Sequence, residues 1–441
     1  MNETILQFGT GNFLRGFVDC FVDEMNKKNL YGGKIVVVSP TDSKAVAKIN
    51  GQQGVYNLFL RGIENGKEIN KRQEIHSISR AVNPYQDFDS FIALSENPNL
   101  KFIVSNTTEA GIEFDAACKF CDKPPKAFPA KLARLLYERY AKALPGFVIF
   151  ACELIDENGK ELKNCVLKYA RLWGLESGFL QWIENENHFC STLVDRIVTG
   201  YPHEEADSIF AEIGKKDDLL NTAEPYHLWV IEGNYEDEFP LKKAGVNVVW
   251  AKNIAPYKKM KVRILNGAHT SLVFPSLLLG VETVRESLEN ELLSRFLNCC
   301  LFDCILPTLS DNKQADEFAK AVLERFSNPN IKHMWLSIAL NSISKYSARV
   351  LPIVFDYFNA SKAVPVPLVL SLVCLLKYYK NESPQDDPEK VRFIKNNDIH
   401  EILLNKDLWG ADLSFLEKKA YECEDKMNSC GLAEAIKWSM F

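Results

Sequence analysis

Thr4-Ile5-Leu6-Gln7-Phe8-Gly9-Thr10-Gly11-Asn12-Phe13-Leu14-Arg15 is the stretch that decides the fold. A short apolar run ends on glycine. Apolar residues then recur at Phe13, Phe17, Phe21 and Met25, the spacing that lines one face of a helix over 12–28. Strand, glycine turn and helix in this order open a dinucleotide-binding unit. The first glycine permits the tight turn, and the second lets backbone N–H groups approach a pyrophosphate at the helix N-terminus. Leu14 stands where the common fingerprint has its third glycine, and Gly16 follows two residues later. An isolated Gly-x-Gly is also an ordinary tight turn. Its place after the first strand of an alternating chain favours a cofactor held by Gly9, Gly11, Asn12, Phe13 and Leu14.

Working outward, Ile35-Val36-Val37-Val38 is a β-branched run suited to a parallel strand buried on both faces. The segments 56–63 and 74–82 predict two strands of an inserted hairpin around Glu64-Asn65-Gly66-Lys67. Further buried strands are predicted at 102–106 and 147–152, with a helix at 129–144 opened by Pro129. This alternation specifies an α/β chain with an N-terminal Rossmann-like, doubly wound sheet. From Pro256 the pattern becomes helical, over 256–279, 284–306, 315–326, 331–351 and 367–380. A length of 441 residues is too much for one ordinary core. The expected division is a cofactor domain over 1–250 and a mostly helical domain over 251–441.

Bulk properties narrow the function. A net charge of -6, with 46% hydrophobic and 25% charged residues, describes a soluble protein and argues against a general nucleic-acid binder. No window reaches the roughly 18 uninterrupted apolar residues of a membrane span. Met1 leads directly into the first strand without a basic leader, so a cytoplasmic location is expected. Twelve cysteines are scattered, and Cys118-x-x-Cys121 lacks the second pair that a zinc site needs. No metal is expected.

Asp42, in Ser39-Pro40-Thr41-Asp42, follows the second strand. A carboxylate there can accept from the adenosine ribose hydroxyls and repel a 2′-phosphate, which favours NAD; a plain turn aspartate is the competing reading. Ser105-Asn106-Thr107-Thr108-Glu109 leaves another strand's carboxyl end, where Asn106 and Thr107 can face the nicotinamide or simply cap a loop.

Lys261-Val262-Arg263-Ile264-Leu265-Asn266-Gly267-Ala268-His269 carries the chemistry. At ~100° per residue, with Lys261 at zero, His269 falls near ~80° and Asn266 near ~140°, on one side of a helix. A lysine whose pKa is lowered by burial or neighbouring cations can act as general base, and Lys258 and Lys259 are candidate cations. Asparagine can polarise a carbonyl or alkoxide oxygen, and histidine can orient it. A solvated charged helix face is the ordinary alternative.

This segment resembles the signature of the polyol-specific long-chain dehydrogenases, the mannitol dehydrogenase family. Matching stretches run in order along nearly the whole chain: Gln7 to Arg15, Ser105 to Gly111, Cys152 to Asp156, Ser191 to Pro202, the lysine segment, and Asn328 to His333. The resemblance implies NAD-dependent hydride transfer on a small anionic sugar acid without a metal, most closely the interconversion of tagaturonate and altronate. It implies Lys261 as acid/base, Asn266 polarising the substrate oxygen and His269 supporting it. Two departures from polyol-oxidising relatives point to an acid. Glu153-Leu154 replaces Asp-Asn and removes a second oxyanion donor, while Lys258 replaces a glutamate.

Lys345 and Arg349 stand four residues apart, on one face of the helix predicted at 331–351. The resemblance places Lys345 in the substrate pocket, with Arg349 a second contact for the carboxylate; a solvated basic helix end is the alternative. Three competing functions remain: the sister mannonate/fructuronate reaction, a neutral hexitol dehydrogenase, and a non-catalytic sugar-acid or nucleotide sensor. A phosphoryl-transfer enzyme is disfavoured by the missing Gly-x4-Gly-Lys-Ser/Thr loop.

Overall fold

The computed structural model describes residues 2–310 and 312–441. The chain forms two compact units, one of residues 1–61 and 68–255, the other of residues 62–67 and 256–441. The first is built on twelve strands: β1 (Asn2–Phe8), β2 (Gly33–Val38), β3 (Tyr56–Glu64), β4 (Lys67–Ile75), β5 (Ile78–Val82), β6 (Phe102–Ser105), β7 (Val148–Ala151), β8 (His188–Asp195), β9 (Val198–Gly200), β10 (Asn221–Ala223), β11 (Leu228–Glu232) and β12 (Val248–Ala251). Eight form one sheet in the order β12-β11-β8-β7-β6-β1-β2-β5, parallel except where β11 meets β8. Ile35 to Val38 are fully buried, because helices cover both faces of a parallel sheet. From β1 the chain winds one way to β2 and β5, then resumes on β1's other side with β6, β7 and β8. The reversal lies at β1/β6, where sheets of this class open for ligands.

Several predicted elements are corrected. The hairpin is β3 and β4, joined by Asn65 and Gly66 with φ of 52° and 72°, the pair of positive values that a type I′ turn requires. The predicted strand at 74–82 is two strands, since Asp23 Oδ1 accepts from His76 N at 2.8 Å and β5 leaves to join β2. The first helix divides into Asn12–Arg15 and Val18–Lys27. Asn221 Nδ2 donates to Asn12 O and Arg196 Nη1 to Gly16 O, both at 2.9 Å, so tertiary partners draw on the carbonyls around the break.

In the second unit the predicted helix at 284–306 breaks at Asn290, whose side chain caps the next helix by accepting from Leu292 N and Leu293 N. The one at 331–351 is three helices, Trp335–Ile338, Ser342–Arg349 and Leu351–Ser361. Asn341 is left-handed at φ 52°, and Asp386 Oδ2 accepts from Ile343 N at 3.0 Å, so a new helix begins where periodicity alone continues the old one. The hairpin tip belongs to this unit, with Gly66 N donating to Glu324 Oε1 at 2.9 Å. Among the described residues no helix is long and apolar enough to cross a membrane.

Arg139, 1% exposed, braces the start of two central strands. Its guanidinium donates to the carbonyls of Pro145 (2.6 Å), Ser95 (3.2 Å), Asn97 (3.0 Å) and Leu100 (3.0 Å), and lies over the Phe147 ring. Burial brings its pKa down to about 10, so it stays charged at neutral pH. Arg139→Met keeps most of the stem but strands these acceptors, each costing about 1–3 kcal/mol when left unpaired. With water recovering some of them, the melting temperature is expected to fall by about 5–10 °C. An unchanged thermal scan overturns this bracing role.

Candidate active site

In the first unit, the end of β1 is pressed against the end of β6. Gly9 N donates to Val38 O at 3.1 Å and Asn106 N to Phe8 O at 3.0 Å, so the ladders continue past the strands. Gly9 has φ 136°, and a Cβ there would meet Asn106 O at 2.7 Å. Only glycine fits. A Cβ on Gly11 would meet nothing within 4 Å, so this side of the turn is open to a ligand. The turn is pinned from behind by buried Arg15, which donates to Thr10 O at 2.6 Å and to Asn12 Oδ1 at 2.5 Å. Phe13 stacks on Phe17 and Leu14 is buried, so both hold the turn through packing. Gly16 supplies the close approach missing at Leu14: a Cβ there would lie 2.9 Å from Val198 Cγ1. Arg15 and Asn221 are not readable as braces from sequence, because their partners include backbone carbonyls set by the fold.

Asp42 is exposed beyond β2 and accepts from Asn83 Nδ2 at 2.9 Å. A cleft of about 280 Å³ lies at the ends of β2 and β6, lined by Thr41, Thr107, Gly111 and Lys126 among others. Asn106 and Thr107 make hydrogen bonds within the protein. Asn106 Nδ2 donates to Cys152 O at 2.6 Å, and Thr107 N and Oγ1 each donate to Glu153 Oε1 at 3.1 Å. Glu153 also accepts from Ser105 Oγ, and burial pushes its carboxyl pKa up. Leu154 beside it is 62% exposed. Thr108 follows at φ 92°, a strained value for a β-branched residue.

In the second unit, the lysine segment is continuous but not uniformly α-helical. Ala255–Lys261 leads into a π-helical turn, Val262–Asn266, and then into Gly267–Leu278. The angular positions read on α geometry are therefore corrected. With i→i+5 bonding, residues five apart stand about one turn apart, which brings Asn266 back toward the face of Lys261. Lys261 and Asn266 are half-buried.

His269 is buried, and its Nε2 has no hydrogen-bond partner among the described residues. Its ring stacks on Phe326 at 4.1 Å and meets His333 edge-on at 5.2 Å. Burial, followed by the charges of His333, Arg325 and Arg349, holds its pKa well below 6.5, so it is neutral. Arg349 acts on Lys345 as well. Burial first and Arg349 second lower the Lys345 pKa, and its Nζ donates to Ile338 O at 2.9 Å. The helix Ser342–Arg349 thus delivers Arg349 to the histidine's surroundings. Of the two cations proposed to flank Lys261, Lys259 pairs with Asp356 at 3.6 Å, while burial lowers the Lys258 pKa. Sequence reading assigned no role to Arg325, since a lone arginine on an amphipathic helix carries no distinguishing signal; His333 entered only as the end of the matching stretch Asn328 to His333. Among the described residues no three His, Cys, Asp or Glu are grouped to hold a metal.

Comparison with known proteins agrees with this architecture. The Mannitol dehydrogenase Rossmann domain matches residues 3–243 and the Mannitol dehydrogenase C-terminal domain residues 253–427. Altronate oxidoreductase of Bacillus subtilis (strain 168) is 43% identical, covering 94% of this chain and 90% of that protein. The altronate oxidoreductase of Phocaeicola vulgatus is 40% identical, covering 99% and 93%. Among solved structures, a substrate-free D-sorbitol dehydrogenase has a TM-score of 0.89 at 23% identity, covering 99% of this chain and 95% of that one. Pseudomonas fluorescens mannitol 2-dehydrogenase, in ternary complex with NAD and D-mannitol, has a TM-score of 0.72 at 20% identity, covering 99% and 94%. These two show the shared fold, while the family profiles and the sequence relatives settle the assignment: the chain belongs to the mannitol dehydrogenase family and is an oxidoreductase.

Proposed function

We propose that the protein interconverts D-tagaturonate and D-altronate with NAD, using Lys261 as the general acid/base and no metal. The observation that carries this reading is the π turn, which gathers Lys261, Asn266 and neutral His269 on a helix whose surroundings include the guanidinium of Arg349. The altronate oxidoreductase name of relatives at 40% and 43% identity supports this choice of substrate.

The first unit fits a dinucleotide: glycine is obligatory at Gly9, and the open backbone at Gly11 allows a pyrophosphate to approach. Asp42 favours NAD over NADP by repelling a 2′-phosphate. When bound, the nicotinamide supplies or accepts the hydride. The rest falls to side chains. In reduction the Lys261 ammonium donates its proton to the carbonyl oxygen, and in oxidation the neutral amine takes it back. The Asn266 amide donates to the same oxygen and stabilises the charge developing there. His269 Nε2, desolvated and without a partner among the described residues, can pair with a substrate hydroxyl or with the amine. Arg349 and Lys345 receive the carboxylate, the guanidinium by its planar fork.

Three outcomes test this. In parallel assays of NADH oxidation, tagaturonate is expected to turn over faster than fructuronate or fructose; no turnover despite tight NADH binding sinks the enzyme reading. Lys261→Ala is expected to lower turnover by ~10²–10⁴-fold, with NADH affinity nearly unchanged. Oxidation needs the neutral amine, so its rate rises with pH, whereas reduction falls. Because His269 is already neutral, it adds no limb near 6.5. A Lys261→Ala enzyme of normal activity, or an oxidation profile without a basic limb, removes Lys261 from the mechanism. Third, Lys345→Met and Arg349→Met are each expected to raise KM for tagaturonate about tenfold or more, while KM for NADH barely moves. Equal changes in both constants mean that the helix end has only been loosened.

A further inference from the structure

The lysine and the amide share a face only while the π turn persists. Such turns are rare, and relaxing one to α geometry slips the helix by one residue, a rotation of ~100° for everything on one side of it. Something must fix that rotation. Arg263 lies within the turn, and its side chain is 8% exposed. Its Nη1 donates to Thr308 O at 3.1 Å and to Thr308 Oγ1 at 2.9 Å, while Nη2 donates to Asp356 Oδ2 at 2.6 Å. Thr308 is itself oriented, its hydroxyl donating to Ile305 O at 2.7 Å. Asp356 sits on the helix Leu351–Ser361 and also takes Lys259, 3.6 Å away. Two separate elements therefore grip one guanidinium in the π turn. On the other side Gly267 lets Ile353 approach, since a Cβ there would stand 3.2 Å from Ile353 Cδ1.

We propose that Arg263 is a positioning residue for the reaction: clamped between Thr308 and Asp356, it holds the π turn so that Lys261 and Asn266 address the same substrate oxygen. Arg263 does not touch the substrate. The planar fork matters because each Nη has its own acceptor, and a lysine cannot reproduce both contacts. The inference rests on the assignment of Lys261 and Asn266 to the chemistry.

The test is a series of Arg263→Lys, Arg263→Met and Asp356→Asn, scored per folded molecule from the stoichiometry of NADH binding. Turnover is expected to fall by about 10–100-fold in Arg263→Met, the scale of a small misplacement of a reacting group. Arg263→Lys and Asp356→Asn should fall less, because one anchor survives in each. In all three the NADH dissociation constant should stay within about twofold, and the basic limb of the oxidation profile should move as the lysine's surroundings change. A purely structural role lowers the folded fraction and leaves turnover per molecule and the pH limb where they were; that result overturns the proposal. If Arg263→Met does not fold, the two milder variants decide the matter, and wild-type turnover and pH limb in both overturn it. The underlying assignment fails separately: an active Lys261→Ala refutes the lysine, whereas an inactive Lys261→Ala beside unaffected Arg263 and Asp356 variants refutes only the clamp.

Discussion

The first unit depends on a single steric constraint, the contact of Gly9 with the carbonyl of Asn106. The outer strands can pack in a parallel sheet with any apolar side chains of suitable size, but β1 and β6 must end side by side, and their carboxyl ends must open to solvent. A side chain at position 9 would collide with backbone, which cannot yield as a rotamer can. Everything nearby is arranged to keep that approach. Arg15 holds the turn from beneath, and Glu153 gathers Ser105 and Thr107 so that the β6 loop stays at the sheet edge.

The second unit is organised by charge. Burying His269 near Arg325, Arg349 and His333 makes its protonated form untenable, and the stacked Phe326 ring removes water from one face. What results is a histidine fixed in the uncharged state beside two guanidiniums.

Residues whose constraint is local were legible in the sequence. The β-branched run at Ile35 to Val38, the glycine turn and the Asn65-Gly66 hairpin each follow from backbone preferences of the residues themselves. The fold class followed from their order. The candidate site was legible in part. Lys261, Asn266 and His269 were visible by spacing and by family resemblance, but the π turn that changes their angular relation was not, because it depends on Thr308 and Asp356, far away in the chain. Helix ends failed for the same reason. At Asn341 and Gly16 apolar periodicity continues, and partners such as Asp386 and Arg196 intervene. Hydrophobic spacing reports which face is buried. It does not report where a buried polar group captures a backbone amide or carbonyl.

The hairpin tip has a bearing on heredity. Two uninterrupted segments, 3–243 and 253–427, describe the family, as though each were a cassette that recombination could exchange. The physical unit is not a cassette, for Gly62–Lys67 is encoded inside the first segment and folds with the second. A crossover near residue 255 therefore delivers the helices with a foreign tip, and Glu324 then faces whatever loop the other parent encodes. Loop and helix must change together, so the two segments of such a lineage are bound to a common ancestry even where no catalytic residue requires it.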